Sequence, residues 1–209
     1  MVRRTKAEAE VTRAHILDAA EIVFLEYGVA RSSLADIAAR AGVTRGAIYW
    51  HFNNKVDVLN AMLERVVLPM QAISDAIMAA SSDHPLADIH RSTVQILRRV
   101  STDRRTQRVF DIVINKCELV DEIEEARETY LLCRDRCTES MARGFRSART
   151  MGLLKTGVTP KTAAIGLHAL IEGLISSWML APGKFKLPSV ADAAVGNYLA
   201  GLRANSRRR

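Results

Sequence analysis

Arg45, Tyr49, Trp50 and His51 stand close together near the end of the segment Ser33 to Phe52, SLADIAARAGVTRGAIYWHF. A guanidinium, a phenol and an imidazole donate hydrogen bonds to phosphate oxygens and base edges, and the rings add flat apolar surface. A second set, His168, Glu172 and Ser176, recurs at intervals of four inside the otherwise apolar stretch 163–181. On a helix these three share one face, and a polar stripe on an apolar wall is how a site orients a mostly apolar small molecule. The alternative is a polar seam whose members satisfy one another. The three cysteines, Cys117, Cys133 and Cys137, form no C-x-x-C pair and are odd in number, so a disulfide framework is not expected and a reducing cytosol fits. Cys133 and Cys137 lie one helical turn apart. They read as structural thiols in preference to a redox sensor.

No catalytic constellation is legible. The chain lacks a Walker loop, H-E-x-x-H, G-x-S-x-G and any ligand-spaced Cys/His set, so no enzyme activity, cofactor or metal is expected. His15, His84 and His90 are isolated and read as surface or satisfied polar groups.

Helices must position these residues. Aromatics make up 5% of the 209 residues, Pro only 5 of them, and no segment alternates like a half-buried strand, so the fold expected is all-α with about nine helices. Apolar positions Ile16, Leu17, Ala20, Val23, Phe24 and Tyr27 predict a helix over about 8–27, closed by Gly28. Further helices are predicted over about 33–41, 44–51, 55–80, 85–100, 104–115, 121–149, 160–180 and 188–204. Pro69 is expected to kink the fourth. The run 163–181 is long enough to test as a membrane span, but His168 and Glu172 near its middle argue for a buried soluble helix. The N-terminus has no apolar stretch behind its charges, so no signal peptide is expected. The net charge of +7 is compatible with a polyanionic partner without establishing one.

Ala38, Gly42 and Ile48 fit a helix-turn-helix. Such a unit needs a small residue where two helices cross, a turn residue tolerant of positive φ, and an apolar anchor under the second helix. The second helix then presents Arg45, Gly46, Tyr49, Trp50 and His51 away from the anchor, as a major-groove reader requires. An ordinary helical corner with a glycine turn is the competing interpretation.

The block TRAHILDAAEIVFLEYGVARSSLADIAARAGVTRGAIYWHFNNKVDVL resembles the N-terminal domain of the TetR family of regulators. Its ending, Tyr49, Trp50, His51, Phe52 and Lys55, is similar to the Y-W-H-F-x-x-K of that family, and GVTRGAIYWHFNNK looks like the AcrR/TtgR-like repressors of multidrug efflux pumps. The specific likeness covers about the first quarter of the chain. It implies a DNA-binding domain over 1–54 and a ligand-binding and dimerisation domain over 55–209. Thr44, Arg45, Gly46 and Tyr49 would lie on the recognition helix, while Ser33, His51 and Lys55 would meet phosphates. Trp50 would face DNA or pack the domain, and Phe52 is read as packing. Arg3, Arg4 and Lys6 would extend the footprint or form a solvated tail. The expected partners are a palindromic double-stranded DNA operator, a second copy of the chain and a small hydrophobic or aromatic effector such as a flavonoid or antimicrobial; no membrane is expected. Walls for the effector are read at Leu63, Val66, Val67, Met70, Ile96, Phe110, Ile114, Cys137 and Met141, with His168, Glu172 and Ser176 as the polar stripe. The last two predicted helices are apolar on more than one face, which suits burial against a second copy.

Overall fold

The computed structural model describes residues 6–80, 83–116 and 124–204. Nine α-helices carry these residues: α1 (Lys6–Tyr27), α2 (Leu34–Ala41), α3 (Arg45–His51), α4 (Lys55–Ala80), α5 (Pro85–Thr102), α6 (Arg104–Asp111), α7 (Glu124–Thr150), α8 (Pro160–Leu180) and α9 (Leu187–Leu202). A π-helical turn, Ile112–Lys116, extends α6. The all-α expectation holds among the described residues, where pairing of the β type is limited to one isolated bridge, Leu154 with Arg203. The sequence-predicted helices 121–149 and 104–115 differ from α7 and α6 mainly at their ends, and residues 121–123 lie outside the described residues. Arg3, Arg4 and Cys117 also lie outside them.

The helices divide into two compact units. The first holds residues up to Val66 together with Arg108–Tyr130, and the second holds Val67–Gln107 and the chain from Leu131. In the first unit α1 packs on α2 and on the π-helical turn, and α2 packs on α3. The stripe read on α1 is the buried one: Ile16, Leu17, Ala20, Val23 and Phe24 are at most 2% exposed. Tyr27, placed on that stripe by spacing, is instead exposed, because the chain turns at Gly28 (φ +80°) immediately after it. Two contacts fix the π-helical turn and α6 to α1 and the loop after it. Arg108 donates from Nε and Nη2 to Oε2 of the buried Glu21, at 3.0 and 2.8 Å, and the Val29 amide donates to the Lys116 carbonyl at 3.1 Å. A two-pronged guanidinium contact to a buried carboxylate holds both position and orientation.

In the second unit α5 packs on α9, and both pack on α8. Pro85 and Pro160 open α5 and α8, where a missing amide hydrogen costs nothing, and Thr159 caps α8 by accepting from the Thr162 amide at 3.0 Å. α4 continues through Pro69. α8 is long and apolar enough by length and composition to cross a membrane. One face of it, Ala163, Ala164, Leu167, Ile171 and Ile175, is buried in the unit. The expectation that α8 and α9 are buried on several faces is met on one face only within a single chain: Ile165 is 52% exposed, Leu180 72% and Val190 37%. The α8–α9 crossing is close because Gly166 has no side chain. A Cβ there would lie 2.3 Å from the Tyr198 hydroxyl oxygen, which donates to the Ala163 carbonyl at 2.8 Å.

Candidate nucleic-acid interface and effector site

Local rules set the geometry of α2 and α3. Ser33 is the N-cap of α2: its hydroxyl oxygen accepts from the Asp36 amide at 3.2 Å, and the Asp36 carboxylate accepts from the Ser33 amide at 2.9 Å. This reciprocal pair satisfies two amides that the helix start leaves open. The Ser33 hydroxyl also donates to Asp36 at 2.6 Å, and these hydrogen bonds hold the Asp36 carboxyl below its ordinary range. α2 ends on Gly42 in the left-handed region (φ +64°), with the Gly42 amide donating to Ala39 and the Val43 amide to Ala38, at 3.2 and 3.0 Å. Those are the two bonds of a Schellman turn, and they aim the chain into α3. Thr44 caps α3 by accepting from the Ala47 amide at 3.2 Å. The three residues read as a helix-turn-helix behave accordingly: Ala38 and Ile48 are buried, at 2% and 0% exposure, and Gly42 supplies the turn.

Ile48 roots α3, so the rest of that short helix faces outward. Thr44, Arg45 and Gly46 are exposed, as are Tyr49 (58%) and Trp50 (73%). Trp50 therefore does not pack the core of this chain; its ring meets His51 edge-on, with centroids 4.6 Å apart. Phe52 is buried as read, and the Arg13 guanidinium lies 5.1 Å from its ring centroid. His51 is half-buried. Lys55, at the start of α4, donates from Nζ to the Ala30 carbonyl at 2.9 Å, which ties α4 to the loop before α2. The Ser33 hydroxyl is committed to the cap. Spacing did not single out Asp36, although Ser33-x-x-Asp36 has the pattern of a reciprocal cap.

The residues read as effector walls fall in both units. Leu63, Val66, Phe110 and Ile114 belong to the first, where Leu63 and Val66 are buried and Ile114 is 37% exposed. Val67, Met70, Ile96, Cys137, Met141, His168, Glu172 and Ser176 belong to the second, with Met70 buried and the others half-buried. Within the second unit a polar cluster joins three helices. Gln71 Nε2 (α4) donates to Cys137 Sγ (α7) at 3.5 Å, and His168 Nδ1 (α8) lies 3.4 Å from Glu172 Oε2. His168 also shares a hydrogen bond with Cys137. Burial alone would push the imidazole down, but the hydrogen bonds to Cys137 and Glu172 and the carboxylate charge outweigh it and raise His168 to about 9. Gln71 was missed in the sequence because its only mark is proximity to Met70. Of the other histidines, His15 and His84 are exposed, and His90 lies 3.1 Å from the Asp192 carbonyl.

An open groove of about 570 Å³ also lies in the second unit, lined by Ala87, His90, Arg91, Val94, Gln95, Arg98 and Asp192 of α5 and α9. It contains none of the predicted effector residues. Its charged, open walls do not suit an apolar molecule.

A capped two-helix turn with an outward-facing second helix defines a helix-turn-helix DNA-binding regulator. The comparisons with known proteins are more specific. Residues 16–62 match the family described as bacterial regulatory proteins, tetR family, and residues 84–204 match the C-terminal region of MAATS-type transcriptional repressors. The HTH-type transcriptional regulator TtgR of Pseudomonas putida is 38% identical over 187 residues, covering 90% of this chain and 89% of that protein. Among solved structures, NalD, the secondary repressor of the MexAB-OprM multidrug efflux pump in Pseudomonas aeruginosa, is 35% identical with a TM-score of 0.85, covering 96% of this chain and all of that one. The SmeT–triclosan complex, also 35% identical, has a TM-score of 0.84 and covers 94% and 93% of the two chains. This chain belongs to the TetR family of transcriptional regulators.

Proposed function

We propose that the protein is a homodimeric repressor of a multidrug efflux operon, released from a palindromic operator by a small hydrophobic or aromatic effector. The observation that carries the reading is the rooted recognition helix: Ile48 fully buried beneath it, Tyr49 and Trp50 exposed on it. In this reading Thr44, Arg45, Gly46, Tyr49 and Trp50 meet the major groove, while Ser33, His51 and Lys55 contact phosphates. The Ser33 hydroxyl would have to exchange its bond to Asp36 for a phosphate, so the weight there falls on Lys55 and His51. Efflux control is supported by the likeness to NalD, the secondary repressor of the MexAB-OprM multidrug efflux pump. In this reading the protein acts in the cytoplasm, works without cofactor or metal, and divides functionally at residues 54 and 55.

The exposed apolar residues Ile165, Leu180 and Val190 on α8 and α9 support a dimer built on those helices. Twofold symmetry would set two recognition helices about one DNA turn apart. For the effector, the half-buried cluster of His168, Glu172 and Cys137, with Gln71 donating to Cys137, supports a site in the second unit. SmeT binds triclosan, which makes triclosan and flavonoids the first compounds to test. An effector releases DNA only if it binds the DNA-free conformation more tightly.

The test is selection of DNA sites by the full chain, followed by titration of the selected complex with triclosan and flavonoids. Release by an aromatic compound, blunted by Glu172→Leu with repression retained, is expected. A selected complex indifferent to every compound would leave a DNA-binding protein without an effector, and unaltered release from Glu172→Leu would move the site elsewhere.

A further inference from the structure

Arg91, Val94, Gln95 and Arg98 lie on one face of α5, at spacings of three and four, and form one wall of the open groove of about 570 Å³; Asp192 of α9 stands on the other. Its charges are separated along its length. Asp88, in the first turn of α5, is fully buried: Arg91 Nη2 donates to its Oδ1 at 2.9 Å, and its Oδ2 has no partner among the described residues. Arg91 cannot swing away without stranding a buried carboxylate, so its guanidinium is held at the groove with the side chain 62% exposed. His90 Nε2 lies 3.1 Å from the Asp192 carbonyl and 3.4 Å from its carboxylate, which engages the acid of the far wall. Arg98 is exposed and has no ion-pair partner among the described residues. It stands eight residues from His90, about 12 Å along the helix axis, so Asp192 does not neutralise it. One end of the groove therefore offers an unmatched guanidinium beside the Gln95 amide, and Val94 and Ala87 supply an apolar stretch behind them. Asp192 is about 200° around α9 from the exposed Val190, so the groove opens on a different face from the one assigned to the dimer.

We propose that this groove is a second small-molecule site, for an amphipathic carboxylate bearing a single negative charge. The carboxylate takes paired N–H donors from Arg98 and a further one from the Gln95 amide. The hydrocarbon body lies along Val94 and Ala87 and over the aliphatic stem of Arg91. A neutral apolar molecule gains nothing from the guanidinium, a bare inorganic anion leaves the apolar stretch wet, and a second acidic group at the far end would meet Asp192. The volume is that of a small-molecule site, and the openness suits a flexible chain with one end anchored. The groove shares no residue with the cluster of His168 and Glu172, so the site stands whether or not that cluster holds the effector.

The test titrates the full chain with decanoate, decanamide and acetate at neutral pH, read by chemical-shift changes in the isotope-labelled protein. Saturable binding of decanoate is expected, with acetate and decanamide each at least about tenfold weaker. Arg98 is exposed, so Arg98→Gln should fold as the parent does and bind decanoate about tenfold less tightly. Glu172→Leu should bind it as the parent does. Decanoate bound equally well by Arg98→Gln overturns the proposal, as does decanamide or acetate binding as tightly as decanoate. Loss of decanoate binding in Glu172→Leu with none in Arg98→Gln would place the molecule at the effector cluster instead. Sedimentation of the same samples completes the test: binding that requires the protein to dissociate into single chains would mean that a second copy covers the groove, and the site would be withdrawn. Failure of decanoate to bind while triclosan binds removes this site and leaves the effector reading intact; the opposite result does the reverse.

Discussion

Gly166→Ala should destabilise the second unit, although helix propensity taken alone predicts the opposite. Replacing glycine by alanine inside a helix gains about 1 kcal/mol from backbone entropy. At Gly166 the new methyl would lie 2.3 Å from Tyr198 Oη, 3.1 Å from Cζ and 3.3 Å from Cε2. The first is too short for any real contact and the other two are tight, so α8 and α9 must separate or the Tyr198 ring must swing out. Overpacking of this kind costs about 1–3 kcal/mol. Swinging the ring also breaks its 2.8 Å hydrogen bond to the Ala163 carbonyl, a further loss of about 0.5–1.5 kcal/mol. Set against the propensity gain, the net is destabilisation of about 0.5–3.5 kcal/mol, read as a lower denaturant midpoint in the variant than in the parent measured side by side. Tyr198→Phe removes the atom at 2.3 Å, so the double variant should lose less than the sum of the two single changes. Gly166→Ala as stable as the parent, or additive with Tyr198→Phe, would refute the close crossing.

Gly42→Ala should cost about 1–2 kcal/mol, because the left-handed backbone at φ +64° is strained for any L side chain, while nothing lies within 4 Å of the added methyl; circular dichroism melts check it, and no loss would mean that the turn relaxes freely. Thermal stability should also fall as pH rises from about 6.5 to about 9. His168 binds its proton more tightly folded than unfolded, so the stabilisation is complete below 6.5 and lost on passing its raised value. His168→Gln should flatten that slope, and an identical pH profile in the variant would contradict the pairing with Cys137 and Glu172.

The DNA-binding head was legible in the sequence because each of its constraints is short-range. Ala38, Gly42 and Ile48 are fixed by one turn and two helix faces, and Thr44 and Gly28 by the ends of single helices. Tyr27 was misplaced for the same reason: periodicity continues the stripe one residue beyond where the first unit covers it. The second unit was legible as helices but not as a site. Gln71 and Cys137 are 66 residues apart, and Gly166 and Tyr198 meet across α8 and α9, so only packing brings them together. The stripe His168, Glu172, Ser176 could be placed on one face by spacing. That Cys137 completes it could not.

The most direct test is footprinting of the selected DNA site with the parent protein and with Tyr49→Ala. Tyr49 is 58% exposed on a helix held by Ile48, so its loss should leave the helical fold intact. The account predicts a symmetric protected sequence with half-sites about one helical turn apart, lost or greatly weakened in Tyr49→Ala. Protection that is undiminished in the variant, or no symmetric protection by the parent, would contradict it.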